Sequence, residues 1–323
     1  FFKPDGTKMY VVGASGQDVN EYNLSTAWDI STASYVQIFS VATQETLPRD
    51  LFFKDDGTKM YVLGQIGRDV NEYNLSTAWD ISTATYVQIF SVATQETAPM
   101  GLFFKPDGTK MYITGFTSDN VNEYDLSTAW DISTAVYLQS FSVAAQETEP
   151  HSISFKPDGT KMYILGEIGN DVNEYNLSTA WNITTASYLQ VFSVAGQETN
   201  PGGMFFKDNG TKLYVVGNRQ NIFQYPISTP WNISTITIDT WDGTAGSKWA
   251  LTSGGAGGET IPTTADDVYF DANSLGIVTI ATGNTGAGSL NCTGFTGTIT
   301  GSAAITVAGS VTLVSGMTYT FIN

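Results

Sequence analysis

The chain reads as all-β: a β-propeller of 51-residue, four-stranded blades, with five repeats present, followed by a β-solenoid-like C-terminal domain. Three observations predict this. The stretch Phe2-Lys3-Pro4-Asp5-Gly6-Thr7-Lys8-Met9-Tyr10 returns at Phe53–Tyr61, Phe104–Tyr112, Phe155–Tyr163 and Phe206–Tyr214, each step 51 residues. A fixed period of that length marks one supersecondary unit copied in tandem. Each copy alternates short strand-like runs with turn chemistry, and no segment carries a 3.6-residue apolar period. After Trp241 the repeat gives way to short Thr, Val and Ile runs between glycines.

Within the first copy, Phe1-Phe2-Lys3 is a short apolar strand, and Pro4-Asp5-Gly6-Thr7 is a turn in which Pro presets φ and Gly accepts a positive φ. Lys8–Gly13 is a second, largely apolar strand of the kind covered on both faces. Gly13–Gln17 is a loop, and Val19–Leu24 a third strand that sets Tyr22 and Leu24 on one face. Ser25–Ala33 is a connection rich in side chains that hydrogen-bond locally to backbone. Tyr35–Val41 is the fourth strand, and Gln44–Asp50 leads to the next copy. Four short antiparallel strands per repeat describe a propeller blade. The fifth copy is degraded, with Phe223-Gln224-Tyr225-Pro226-Ile227 replacing Asn-Glu-Tyr-Asn-Leu, as expected where an array ends. Five blades close a ring; further blades upstream would make six or seven.

The block Phe-Lys-Pro-Asp-Gly-Thr-Lys-Met-Tyr-Val-Val-Gly, followed by Val-Asn-Glu-Tyr-Asn-Leu-Ser, resembles blades of the YVTN family of β-propellers over residues 1–240. The chain departs from that pattern in a longer connection carrying Trp28, Trp79, Trp130, Trp181 and Trp231. The family is functionally diverse, so the resemblance implies the fold and no particular activity. In residues 241–323, Trp241-Asp242-Gly243, Ala265–Asp271 and Ser289–Gly294 look like segments of phage tail-fibre and other virion surface proteins, and of secreted bacterial adhesins. Two domains are expected, at 1–240 and 241–323, the second incomplete.

The formal charge is −17, with 14 Lys and Arg against 31 Asp and Glu. That argues against binding that depends on neutralising nucleic-acid phosphates or anionic lipid. No apolar run is long enough to span a membrane as a helix. The neutral polar palette of Thr, Ser, Gly and Asn suits an extracellular β protein. Cys292 stands alone, so no internal disulfide forms.

No catalytic constellation, cofactor site or metal site is read from the sequence. His151 is the only histidine, which argues against a histidine-based metal site or triad. The Asp-Gly turns at Asp5, Asp56, Asp107, Asp158 and Asn209 supply one oxygen ligand each and read as turns. Asp266, Asp267 and Asp271 form a denser oxygen cluster, readable as a calcium site or as a capped turn. The five Trp read as pins holding each connection onto its own blade, or as a ring of sugar-stacking platforms.

The copies differ mainly in the loop between second and third strands and in the blade-to-blade connection, which share one end of an antiparallel blade. The candidate binding residues there are Arg49, Ile66, Arg68, Met100, Phe116, Asp119, His151, Glu167, Ile168 and Arg219; drift in unconstrained loops is the other account. These readings lead to an expectation of a non-enzymatic virion surface or tail-fibre protein for attachment or display. The alternatives are a secreted adhesin or extracellular matrix protein and, more weakly, a polysaccharide-degrading enzyme. Partners would be a host cell-surface receptor or glycan and other virion or appendage proteins. The fibre resemblance implies a homo-oligomer, most often a trimer.

Overall fold

The structure is a computed structural model of the 323-residue chain. It describes residues 1–217 and 221–236, and beyond them residues 239–241, 268–269, 277–280, 290–292, 298–301, 306–313 and 318–321. The chain divides into two compact units, one of Phe1–Phe223 with Thr229–Ser234, the other of Gln224–Ser228 with Thr235–Asn323.

The first unit is a five-bladed propeller. The second blade shows the pattern: Pro48–Phe53 innermost, then Lys59–Gly64, Asp69–Leu75 and Ala84–Ser91 outermost, all antiparallel neighbours. The blades starting at Pro99 and Pro150 repeat it. The first blade has three strands, Lys8–Gly13, Asp18–Leu24 and Ala33–Ser40. Its expected innermost strand, Phe1-Phe2-Lys3, is reduced to one bridge between Phe2 and Met9. Among the described residues the fifth blade also shows three, and its third strand, Ile222–Pro226, ends on a residue without the N–H that would extend the ladder.

The ring closes on itself. Tyr10 Oη donates to the carbonyl of Trp79 at 2.6 Å, Tyr61 to Trp130 at 2.6 Å, Tyr112 to Trp181 at 2.9 Å and Tyr163 to Trp231 at 2.7 Å. The fifth bond returns to the start, Tyr214 to Trp28 at 2.8 Å. Five equivalent links in cyclic order leave no place for a sixth blade. All five tyrosines are buried, as the 51-residue spacing requires.

Each Trp is bent into the left-handed region, with φ between 61° and 65°. Its own N–H bonds back to the Gly of the Pro-Asp-Gly turn, as Trp130 N does to Gly108 O at 3.0 Å. The indole lies so close to that glycine that a Cβ on Gly108 would sit 2.4 Å from ring atoms. The pinning role therefore holds, and the same residue also fastens the neighbouring blade. A polar stitch repeats beside it. Glu72 is buried, paired with Lys59, and accepts from Gln88 Nε2 at 2.8 Å, while that same nitrogen reaches Asp131 of the next blade at 2.8 Å.

In the second unit, short strands pair in parallel: Asp239–Trp241 with Ile277–Ile280, the latter with Thr298–Gly301, and that with Thr318–Phe321. A full solenoid, and the oxygen cluster of Asp266, Asp267 and Asp271, lie outside the described residues.

Candidate functional site

The inner strands surround a central cavity of about 480 Å³. Its waist is a collar of Phe1, Phe52, Phe103 and Phe205, with ring centroids 5.2 Å apart for Phe1–Phe52, 5.4 Å for Phe52–Phe103 and 5.2 Å for Phe1–Phe205. The fourth blade carries Ser154 at the matching position, so the collar has one gap. Pro4, Asp55, Pro106, Pro157 and Asp208 line the turn end of the cavity, and Asp50 and Ser152 the other. Burial raises the Asp55 carboxyl, helped by Asp56, and burial with Asp55 raises that of Asp208.

The end with Asp50 and Ser152 is also the end where the copies differ. The pairing register shows it: Pro48 lies opposite Gly64 and Gly64 opposite Asp69, so the start of the inner strand and the second-to-third-strand loop coincide. Every complete inner strand is irregular there. Pro150 pairs with Gly166 and Ser152 with Leu165, leaving His151 as an extra, bulged residue. Arg49 and Met100 occupy the same bulge in their blades. Bulges re-aim side chains, and these are positions at which the repeats diverge.

A constant scaffold holds the variable loops. The buried Glu147 carboxylate accepts from Glu149 N at 2.7 Å and Gly169 N at 3.0 Å, and Glu167 N bonds Glu149 O at 3.1 Å. Glu45 does the same work two ring positions away, accepting from Leu47 N and Gly67 N. The glycine ending the second strand is needed for this contact, since a Cβ on Gly166 would lie 1.8 Å from Glu147 Oε2.

On that scaffold His151 Nε2 lies 3.0 Å from Glu167 Oε2. Glu149 joins them, with ligand-type atoms of all three within 4.8 Å of one another. Asn200 Nδ2 donates to Glu167 Oε1. Arg49 comes from the second blade, its Nε donating to Gln65 Oε1 at 2.7 Å. It lies near enough that Glu167 opposes the effect of burial on the guanidinium. Burial, then Arg49, holds the His151 imidazole below its ordinary basicity. Asp50 is pushed up to about 6 by burial, although its carboxylate accepts from Leu102 N and Leu51 N, both at 2.8 Å. A carboxyl raised to about 6 and an imidazole held below its ordinary basicity, beside a guanidinium, can perform acid–base chemistry on a polar molecule at the mouth.

Of the ten residues expected on this end, the structure gathers Arg49, His151 and Glu167 into one cluster. Met100 is buried in the wall, while Ile66, Phe116 and Ile168 stand exposed on loops. Arg68 and Asp119 hold left-handed turn positions, and their carbonyls accept from Val92 N and Val143 N. Arg219 lies outside the described residues. Sequence reasoning set aside a histidine-centred site because there is one histidine; it did not foresee that two carboxylates meet it. The fixed Gln-Glu-Thr in each connection was the available signal for the scaffold glutamates.

The sequence matches no family model and no curated protein. Solved structures that share the fold include a Bacteroides fragilis protein assigned as a 6-phosphogluconolactonase (14% identity, TM-score 0.45, covering 72% of this chain and 66% of that one). Others are a Pseudomonas aeruginosa periplasmic gluconolactonase (16%, 0.43, 71% and 65%) and a Desulfotomaculum acetoxidans protein of unknown function (14%, 0.44, 73% and 67%). This chain spans about two thirds of their length. The expectation of a non-enzymatic virion, tail-fibre or adhesin protein is corrected here: two of these structures carry lactonase names. The tail-fibre likeness rested on three short segments, Trp241–Gly243, Ala265–Asp271 and Ser289–Gly294, too little sequence to fix a function.

Proposed function

We propose that the propeller is a hydrolase acting on small neutral cyclic esters of the sugar-lactone kind at the loop mouth of its cavity. One observation carries this reading: the chain's only histidine and one of its three arginines meet Glu149 and Glu167 beside the cavity that Asp50 and Ser152 line. Arg49 would polarise the carbonyl, and Asp50 or His151 would move the proton of the attacking water. Three carboxylates against one guanidinium favour a neutral substrate over a phosphorylated one. The names of the fold neighbours supply the first substrates to try.

The test is turnover of gluconolactone, its 6-phosphate and a p-nitrophenyl ester by the purified chain, with Arg49→Met, Asp50→Ser and His151→Met compared. Each variant installs a residue that another repeat carries at that position. The reading expects the neutral lactone to be turned over fastest, with losses of roughly 10²-fold or more in the variants. Rates equal to the uncatalysed blank on all three substrates would sink it. For the second unit, the solenoid expected from the sequence is retained as a proposal, supported by the parallel strand pairing.

A further inference from the structure

We propose that Glu149, His151 and Glu167 form a binding site for one divalent transition-metal ion, of the Zn²⁺ or Mn²⁺ class. The inference rests on the site read above and names the ion that would occupy it.

Geometry carries the argument. The buried His151 ring presents Nε2 to Glu167 Oε2 at 3.0 Å. Two ligands at 2.0–2.2 Å from one ion, at angles near 90–110°, lie about 3 Å apart, which is the observed separation. Glu149 completes the group, with ligand-type atoms of all three residues within 4.8 Å of one another.

The surroundings agree. Glu167 is oriented from outside by Asn200, and Glu149 and the Glu167 loop are held by bonds to the Glu147 carboxylate. The ligands are therefore set in place by the fold, as metal sites require. A divalent ion offsets the charges of Glu149 and Glu167. One imidazole with two carboxylates suits Zn²⁺ or Mn²⁺ better than Ca²⁺, whose shell takes six to eight oxygens.

The experiment titrates Zn²⁺, Mn²⁺ and Ca²⁺ into the metal-stripped, untagged chain by calorimetry, with a thermal melt at each end point. The variants are His151→Met, Glu149→Ala and Glu167→Gln, which install the residues found at Met100, Ala98 and Gln65 in other blades, so each is a side chain the fold already accommodates. The expected result is one equivalent of Zn²⁺ or Mn²⁺ bound in the micromolar range or tighter, weakened at least tenfold in each variant, with unchanged metal-free melts. No saturable binding below about 1 mM, or binding that survives all three substitutions, overturns the proposal. Calorimetry needs no substrate, so the two readings fail separately. Metal bound without lactone turnover removes only the hydrolase, and turnover without metal binding removes only the ion.

Discussion

Replacing Gly108 by Ala tests the link between turn, indole and ring. Gly108 has φ +72°, and an added Cβ would meet the Trp130 indole at 2.4 Å. The left-handed backbone alone costs about 1–2 kcal/mol with an L side chain. The indole must also withdraw, which loosens its stacking on Phe104 at 5.6 Å and on Phe52 at 6.3 Å. That withdrawal strains the Tyr61–Trp130 hydrogen bond between blades, worth about 1 kcal/mol. Together with the lost packing the expected destabilisation is about 3–5 kcal/mol, or roughly 10 °C in melting temperature for a unit of this size. Gly196→Ala is the control: nothing lies within 4 Å of its Cβ, and the third repeat has Ala145 there. Differential scanning calorimetry of both variants decides. A Gly108→Ala melt within 2 °C of the control, a margin of about 1 kcal/mol or less, would show that the indole does not depend on the bare glycine and that the latch is incidental.

Burial, together with Glu45, pushes Asp69 up to about 6 despite its bond from Asn71. The native state then holds a proton that the unfolded chain, titrating near 3.8, has released, so this group's contribution falls as pH rises through that window. Asp69→Asn, which copies Asn120 of the third blade, should gain about 2 kcal/mol relative to the parent between pH 4 and pH 7.5; parallel stability curves would refute this. Glu72→Gln should cost about 3 kcal/mol by leaving Lys59 without its buried partner, read as a shift in urea midpoint. Ser154→Phe should complete the aromatic collar, leave the melt unchanged or higher, and reduce lactone turnover by occluding the cavity; a variant as active as the parent would place the substrate elsewhere.

The blade was legible because its signals are local: Pro-Asp-Gly predicts the turn, and Asp56 Oδ1 does accept from Thr58 N at 3.0 Å. The equivalence of Tyr61 and its four counterparts followed from period alone. The left-handed Trp was not legible, since a bulky residue enters that region only when the surrounding packing overrides its preference. Nor was the number of blades, which depends on Tyr214 finding Trp28 across the whole sequence. The mouth was half legible. Divergence between copies pointed to Arg49, His151 and Glu167, but grouping them with Glu149 required the bulge that turns His151. The function expected from the C-terminal segment failed because three segments of three to seven residues carry little information about activity.

The ring's latches are interchangeable. Each tyrosine would meet any of the five tryptophan carbonyls with the same geometry, and each inner phenylalanine any of the five indoles. The Tyr–Trp latches therefore say nothing about which blade comes next. Two chains refolding side by side can exchange whole blades without losing a latch, so the yield of single-chain rings depends on dilution, as ring closure does in polymer chemistry.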